Sequence, residues 1–340
     1  MSVARSLRGL FAIVVACVGG LTGLALLGVV FRGHFAVGTA FTAARWPSVA
    51  LALVLAVAIG RAEWEARRAL WAALAITLVI HGGDALVERW RSPSPLRAFD
   101  EGAPHTVWLS ANLKNIPNRP ESTIDALAHA NADVMVIQEV TNDWRRRLEA
   151  RFAADFPHRV YWPHEGTHGY AILSRWPLAE PELLYGGRAL PFAQATIITI
   201  RGRDLHLVNL HLLSPSGPLR NERHRLYSAL GENAATRRRQ WREIQGYLRD
   251  HPRRLPSLLV GDFNTLEFEP LHAEMTKAHI DTWRHSSWGL GWTWPVNRSD
   301  LPFPIARIDY ILTSPQLAIG SVEVLKTGGA DHHMVRAVVQ

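Results

Sequence analysis

Beyond residue 100 of this 340-residue chain, short apolar runs end in polar side chains: Asn112, Glu139, His211, Asp262, Asn264, Asp309, Asp331 and His332. A carboxylate beside a buried strand is costly to ionise unless a cation or a hydrogen-bond donor compensates. Carboxylates and amides are hard oxygen donors of the kind Mg2+ takes, and a His–Asp pair moves protons near neutral pH. A cation, a positioned water and donors for nonbridging oxygens are what phosphoryl transfer needs. Each residue alone has a plainer reading. Asp262 and Asn264 suit a turn in Gly-Asp-Phe-Asn. Asp309 suits a salt bridge to Arg307, Glu139 a helix N-terminus, and His211 and His332 structural positions. Strand ends in layered α/β folds converge on clefts, so the joint spacing favours one shared site.

Strands must present these side chains. Residues 106–112 alternate apolar and polar, as a half-buried strand does, and 133–138 is a short buried strand. Further strands are expected at 170–174, 196–200, 205–210, 258–260, 308–312 and 335–339, with a hairpin turn at Arg201-Gly202-Arg203-Asp204. Helical patterns cover 121–130, 143–152 and 232–248. Many strands and several helices without a steady βαβ rhythm predict packed sheets covered by helices, not a barrel. There is no Gly-x-Gly-x-x-Gly, no P-loop and no Gly-x-Ser-x-Gly elbow. Nucleotide cradling and serine nucleophiles therefore lack their usual carriers.

The first hundred residues have a different character. The chain's net charge of +7 points at first to nucleic acid. Residues 1–100, however, hold ten Arg against five acids, whereas 101–340 hold 27 basic and 25 acidic residues. The excess flanks apolar segments, the ordinary pattern beside a membrane span. Residues 10–31 carry no charge and as a helix would span ~33 Å, enough for a hydrocarbon core of ~30 Å. Segments 47–60 and 69–83 are shorter, separated by the charged stretch 61–68. A cleaved signal is the competing reading, because Arg5 and Arg8 form a basic leader, and residues 14–17 loosely resemble a lipoprotein site at Cys17. The apolar run continues past both, which favours an anchor. The expected organisation is a three-helix membrane anchor over 1–91, a linker over 92–103 marked by Ser92-Pro93-Ser94-Pro95, and a catalytic domain over 104–340. Arg5 and Arg8 outweigh Arg32, which puts the N-terminus in the cytoplasm and the large domain outside it. The lone cysteine, Cys17, excludes an intrachain disulfide framework and a cysteine-rich zinc site.

Taken in order, 108–113, 134–140, 169–178, 207–212, 258–265, 307–314 and 330–339 resemble the endonuclease/exonuclease/phosphatase superfamily, the deoxyribonuclease I-like fold. Gly-Asp-Phe-Asn (261–264), Arg-Ile-Asp-Tyr (307–310) and Asp-His (331–332) carry most of the specificity. The apolar segments ahead of them, and Gly-Trp-Thr-Trp-Pro at 291–295, resemble a bacterial membrane-attached group of that superfamily, which implies the inner membrane. The resemblance implies an α/β fold, a four-layer α/β/β/α sandwich of two packed mixed sheets flanked by helices, preceded by the anchor. It implies a hydrolase of phosphodiester or phosphomonoester bonds that uses Mg2+, with Mn2+ as the alternative ion. Glu139 matches the principal metal carboxylate, with Asn112 and Asp331 completing the shell. Asp262 matches the residue that orients or deprotonates the attacking water, and Asn264 the one that holds the water or a phosphate oxygen. His332 matches the histidine facing the phosphate, Asp309 its partner, and His211 a phosphate or leaving-group contact. Asp262 and His332 both remain open as the general base. Ala330 stands where the family usually has serine, and His333-Met334 follow where proline is common, which bears on loop geometry. Asn115 is an alternative to Asn112.

Substrate classes follow less directly. Arg145–Arg147 and Arg237–Arg239 would neutralise the phosphates of DNA or RNA, but both clusters lie on helical patterns where a solvated face is the plainer reading. One of Arg237–Arg239 also suits the phosphate pocket. The aromatic stretch 283–294 suits base stacking, lipid contact or core filling. The expected partners are a phosphate-ester substrate, either nucleic acid or a phospholipid headgroup of the sphingomyelin type, and the lipid bilayer; no protein partner is indicated. A catalytically inactive membrane-attached scaffold is the reading from another class, and the presence of the full polar set speaks against it.

Overall fold

A computed structural model describes residues 93–116, 119–215, 226–251, 254–297 and 303–340. The described residues form two units. The larger holds 93–215, 236–267 and 274–340 and contains both sheets; the smaller holds 226–235 and 268–273. The apolar segments 10–31, 47–60 and 69–83 lie outside the described residues. Among the described residues no helix is long and apolar enough to cross a membrane.

Among the described residues twelve strands make two six-stranded mixed sheets. The first contains β1 (Thr106–Asn112), β2 (Val134–Gln138), β3 (His158–Trp162), β4 (Tyr170–Ser174), β11 (Ile319–Leu325) and β12 (Met334–Val339), ordered β11-β12-β1-β2-β4-β3. The second contains β5 (Leu178–Leu184), β6 (Ala193–Ile200), β7 (Arg203–His211), β8 (Ser257–Asp262), β9 (Ile280–Asp281) and β10 (Asp309–Thr313), ordered β5-β6-β7-β8-β10-β9. The helices among the described residues are α1 (Pro120–His129), α2 (Asn142–Phe152), α3 (Leu226–Asp250), α4 (Pro270–Met275) and α5 (Thr282–Ser286). One parallel pair lies in each sheet, β1 with β2 and β7 with β8.

Alternation along the inner strands assigns each side chain to a layer. In β2, Met135 and Ile137 join Leu127, Trp144, Leu148 and Phe152 of α1 and α2 in one core. Val134 and Val136 face the other way, into a second core with Leu207, Leu258, Val260 and Ile311 of the opposite sheet. Trp108 of β1 fills the same inter-sheet layer. Each fully buried side chain of this size contributes ~1.5–3 kcal/mol relative to exposure. The outer face of the second sheet meets α3, where Tyr247 packs edge-on against His206 at 5.3 Å. Helices thus flank both sheets.

Local chemistry sets several boundaries. Pro120 opens α1 at its first position, where its missing N–H costs nothing. Thr141 caps α2 by accepting from Trp144 N at 3.3 Å. The hairpin between β6 and β7 turns on Arg201 and Gly202, both at positive φ, and Ile200 pairs Arg203 across it. At the start of the larger unit Leu96 N donates to Pro315 O at 2.7 Å, and Gln340 Nε2 donates to Asp100 O and Ala103 O.

His279, just before β9, is buried and Ser257 Oγ lies 3.0 Å from its Nε2. Burial lowers its pKa to about 4. Because the folded value lies below the unfolded value of ~6.5, stability from the neutral ring is fully present above pH ~6.5 and is lost as pH falls towards 4. We predict a loss from this group of ~2 kcal/mol between pH 7.5 and 5. Urea unfolding of the full chain at both pH values measures it. His279→Gln should lose that much less over the same interval, and an equal loss in both proteins would contradict the assignment.

Candidate active site

The period that builds the inter-sheet core also places polar residues at one end of it. Trp108 and Asn112 share a face of β1, Val134, Val136 and Gln138 a face of β2, Leu207, Asn209 and His211 a face of β7, and Leu258, Val260 and Asp262 a face of β8. Register then aligns the tips. His211 pairs Asp262 across the parallel β7–β8 ladder, Asp262 pairs Asp309 across β8–β10, and Asn112 pairs Gln138 across β1–β2.

The tips meet across the sheets. Asn112 Nδ2 donates to Glu139 Oε1 at 3.2 Å and to Asp262 Oδ2 at 3.3 Å, so one amide bridges carboxylates from both sheets. Asn115 N donates to Glu139 Oε2 at 2.9 Å. His332 Nδ1 donates to Asp309 Oδ2 at 2.9 Å, and its Nε2 lies 3.8 Å from Asp262 Oδ2. On the other side of Asp262, His211 Nε2 is 3.4 Å from the same oxygen, while its Nδ1 donates to Thr167 O at 3.0 Å. Asn264 N donates to Asp262 Oδ1 at 2.8 Å and Asn264 Nδ2 to Leu212 O at 3.0 Å.

Electrostatics follow from this crowding. Burial, and then the charge of Asp309, push Asp262 up to about 6, against the opposing pull of His211, His332 and the Asn264 N–H. Burial works against a charged His332, but Asp309, by charge and by hydrogen bond, followed by Asp262 and Asp331, outweighs it and raises the imidazole to about 10. Burial also drives the Tyr170 phenol well above its ordinary value, with the charges of Glu139 and Asp262 adding to it. At the rim, burial and then His211 and His164 lower His168 to about 4.

Two groupings could hold a metal. Ligand atoms of Asp262, Asp309 and His332 all lie within 4.8 Å of one another. His332, however, is committed to Asp309 through Nδ1 and favours its charged form, which has no lone pair to give a cation. That trio fits proton transfer better than metal binding. Glu139 has no basic partner among the described residues and receives only two neutral N–H donors. Its free lone pairs beside Asp262 are hard oxygens, and they fit a divalent cation.

All eight expected residues lie at or beside this end. Asp331 joins at one remove, with Lys114 Nζ 3.8 Å from its Oδ2 and Lys114 N donating to Asn112 Oδ1. Asn112 therefore turns its N–H groups, not its oxygen, to the carboxylates. Asn115 contributes only its backbone. Arg307, read as a partner for Asp309, instead forks onto Asp281 at 3.0 and 2.8 Å and reaches Glu267 at 2.7 Å. Arg145–Arg147 is a surface cluster: Arg146 and Arg147 pair Asp143 and Glu121, and Arg145 lies over Tyr161. Arg237 corrects the expectation of a solvated face, because it is fully buried and donates to Asn264 O and Thr265 Oγ1. Three contributors went unread. Thr293 Oγ1 accepts from Ile308 N and Asp309 N, and Gln138 and Asn209 pair between the sheets. The available signal was a polar residue in phase with an otherwise apolar strand face.

Residues 109–332 match the model of the Endonuclease/Exonuclease/phosphatase family. A search of curated proteins finds no match. Among solved structures, an endonuclease/exonuclease/phosphatase from Beutenbergia cavernae DSM 12333 is similar, with 20% identity and a TM-score of 0.53 over 70% of this chain and 72% of that one. TDP2 of D. rerio, solved with a single-strand DNA product, has 17% identity and a TM-score of 0.55 over 70% of this chain and 100% of its own. A family protein from Bacteroides thetaiotaomicron has 15% identity and a TM-score of 0.53 over 69% and 97%. At these identities the likeness carries the fold.

Backbone conformation at the site is unusual. Lys114, Glu139 and Asn264 all have positive φ (61°, 59° and 47°), which costs an L-residue ~1–2 kcal/mol. Gly261 has φ 144°, and a Cβ there would stand 2.0 Å from Leu210 O. Glycine is thus required for β8 to approach β7 just before Asp262. Gly261→Ala should destabilise the protein by ~3 kcal/mol or more, a fall in Tm on the order of 10 °C. Gly202→Ala, at φ 79° with open space around it, is the control and should cost only ~1 kcal/mol. Equal melting of the two variants would contradict this reading.

Proposed function

Because the chain belongs to the endonuclease/exonuclease/phosphatase family, we propose that it is a divalent-metal-dependent phosphodiester hydrolase with nuclease-like chemistry. The observation that carries the reading is the bridge from Glu139 through Asn112 to Asp262, beside the Asp309–His332 pair. Glu139 would hold Mg2+ or Mn2+, with Asp331 at its margin and Asn112 aligning the carboxylates. Bound there, the cation would offset negative charge on the phosphoryl oxygens. Asp262, its Oδ1 held by the Asn264 N–H, accepts the proton of an attacking water. Asp309 fixes His332 through Nδ1 and leaves Nε2 facing Asp262, where it donates to a phosphate oxygen. His211, held at Nδ1 by Thr167 O, directs Nε2 to the same space and serves the leaving oxygen. The reading includes a membrane anchor in residues 1–91, in a bacterial inner membrane with the catalytic domain outside the cytoplasm, supported by the uncharged run 10–31 and its basic flank.

A panel assay on the full chain tests this. It should contain single- and double-stranded DNA, RNA, sphingomyelin vesicles and bis(4-nitrophenyl) phosphate, each with Mg2+, Mn2+ or chelator. Turnover of at least one phosphodiester should require the cation and fall at least ~1,000-fold in Glu139→Ala and in His332→Ala. Turnover that survives either change would overturn the site. A fully folded chain inert to the whole panel would favour the inactive scaffold.

A phospholipid headgroup is the second substrate reading, and one observation favours it. Ile116, Trp162, Phe303 and Ile305 are 70%, 44%, 57% and 41% exposed. All four lie on the loops and strand ends that carry the site. Trp162 ends β3 opposite Tyr170, Ile116 follows Asn115, and Ile305 N donates to Trp294 O beside His332. Ile116 and Ile305 cannot stack bases, whereas Trp162 and Phe303 suit bases or lipid alike, and residues 101–340 are nearly neutral, with 27 basic against 25 acidic residues. On this reading Ile116→Ser with Phe303→Ser lowers vesicle hydrolysis at least ~10-fold and leaves bis(4-nitrophenyl) phosphate turnover unchanged. A parallel fall on both substrates would refute it.

A further inference from the structure

We infer that Gln138 and Asn209 form a positioning clasp that sets Glu139 against His211 and Asp262 across the two sheets. This rests on the phosphodiesterase reading above and concerns residues that touch neither substrate nor cation. Both amides are fully buried. Asn209 Nδ2 donates to Ile137 O at 2.9 Å and to Ala171 O at 3.1 Å. Both its hydrogens are therefore used, and its Oδ1 must accept. Gln138 Nε2 supplies the donor at 2.8 Å and also donates to Val136 O at 3.2 Å. Hydrogen-bond logic thus fixes the orientation of both side chains.

The consequence is geometric. One side chain of β7 is bonded to three points of the other sheet: the paired residues Ile137 and Ala171, and Gln138 itself. Gln138 directly precedes Glu139, its backbone O accepts from Leu113 N, and it pairs Asn112 in register. Asn209 sits two residues before His211, on the same pleat. Gly261 makes room, because a Cβ there would lie 3.1 Å from Gln138 Nε2. Elsewhere the inter-sheet layer is mostly apolar, with Ser110, Ser174, Gln194, Thr196 and Thr313 interspersed, and apolar contact is non-directional and tolerates sliding. A site that needs carboxylates and imidazoles from both sheets does not tolerate it, because ~1 Å of misplacement costs ~100-fold in rate. Stability is a poor explanation for the pair. Gln138 Oε1 is buried without a protein partner, and replacing a buried polar pair by apolar groups of like shape is close to neutral.

The double variant Gln138→Met/Asn209→Leu in the full chain separates positioning from packing. With bis(4-nitrophenyl) phosphate and Mn2+ as probes, kcat should fall at least ~30-fold with KM within ~3-fold and Tm within ~3 °C of wild type. Asn209→Leu alone should lose as much kcat as the double variant, because either change opens the clasp. Unchanged kcat, or kcat and Tm falling together, would overturn the inference. If the double variant does not fold, Gln138→Met alone carries the same criteria, since the Asn209 bonds to Ile137 and Ala171 remain. Misfolding of both would overturn the inference by making the pair a folding element. Hydrogen exchange distinguishes this failure from failure of the enzymatic reading. The Leu113 and Val140 amides should exchange at least ~10-fold faster in the variant while the rest of both sheets is unchanged. Wild type inert to the ester but with that exchange pattern removes the hydrolase reading and keeps the clasp; unchanged exchange removes the clasp.

Discussion

Two twisted sheets packed face to face depend on every second residue of their inner strands, and at one end of the interface that residue stops being apolar. Trp108, Val134, Val136, Leu207, Leu258, Val260 and Ile311 fill the layer between the sheets. Two residues further along the same pleats stand polar side chains that face each other. The strand period and the packing of the sheets bring Asn112, His211, Asp262 and Asp309 together, and the turns just outside the strands add Glu139, Asn264, Asp331 and His332. A single-residue slip in any inner strand would turn its polar tip to the opposite face and break both the core and the site. Core and site are therefore one structural decision.

That placement creates an electrostatic problem whose solution resembles chemistry. Glu139, Asp262 and Asp309 are drawn together where burial raises the cost of charge. Asp309 is answered by His332, and Asp262 is held between two imidazoles and a backbone N–H. Among the described residues Glu139 is left with neutral donors only. A buried pair plus an unanswered carboxylate is the arrangement a divalent cation completes. Arg237, sunk beneath Asn264, and Thr293, beneath Asp309, fix the two turns on which this depends.

What the sequence makes legible follows the same physics. Strands β1, β2, β4, β6, β7, β8, β10 and β12 are interior, and their strong apolar patterns show in the sequence with ends shifted by a few residues. The strands not anticipated, β3, β5, β9 and β11, are the four sheet edges. β3, β5 and β11 are partly exposed, β5 even contains Pro181 and two glutamates, and their patterns fade accordingly, while β9 is buried but only two residues long. The polar strand tips were legible because they interrupt apolar runs. The buried role of Arg237 was not, since an arginine triplet on an amphipathic helix looks the same whether one member points inward or none does. Gln138 and Asn209 were hidden for the opposite reason: each stands beside a louder residue, Glu139 or His211. The resemblance in the Gly-Asp-Phe-Asn, Arg-Ile-Asp-Tyr and Asp-His motifs pointed to the family, while chemistry at strand ends pointed to the candidate site.

Direct measurement of Mn2+ binding to the full chain, by the loss of the free-ion electron paramagnetic resonance signal, bears on the central claim without assuming any substrate. Wild type should bind Mn2+, and Mg2+ should compete for the site. Glu139→Gln, which keeps the shape and removes the charge, should weaken binding at least ~10-fold with Tm unchanged. Equal binding by both proteins, or none by either, would contradict the account.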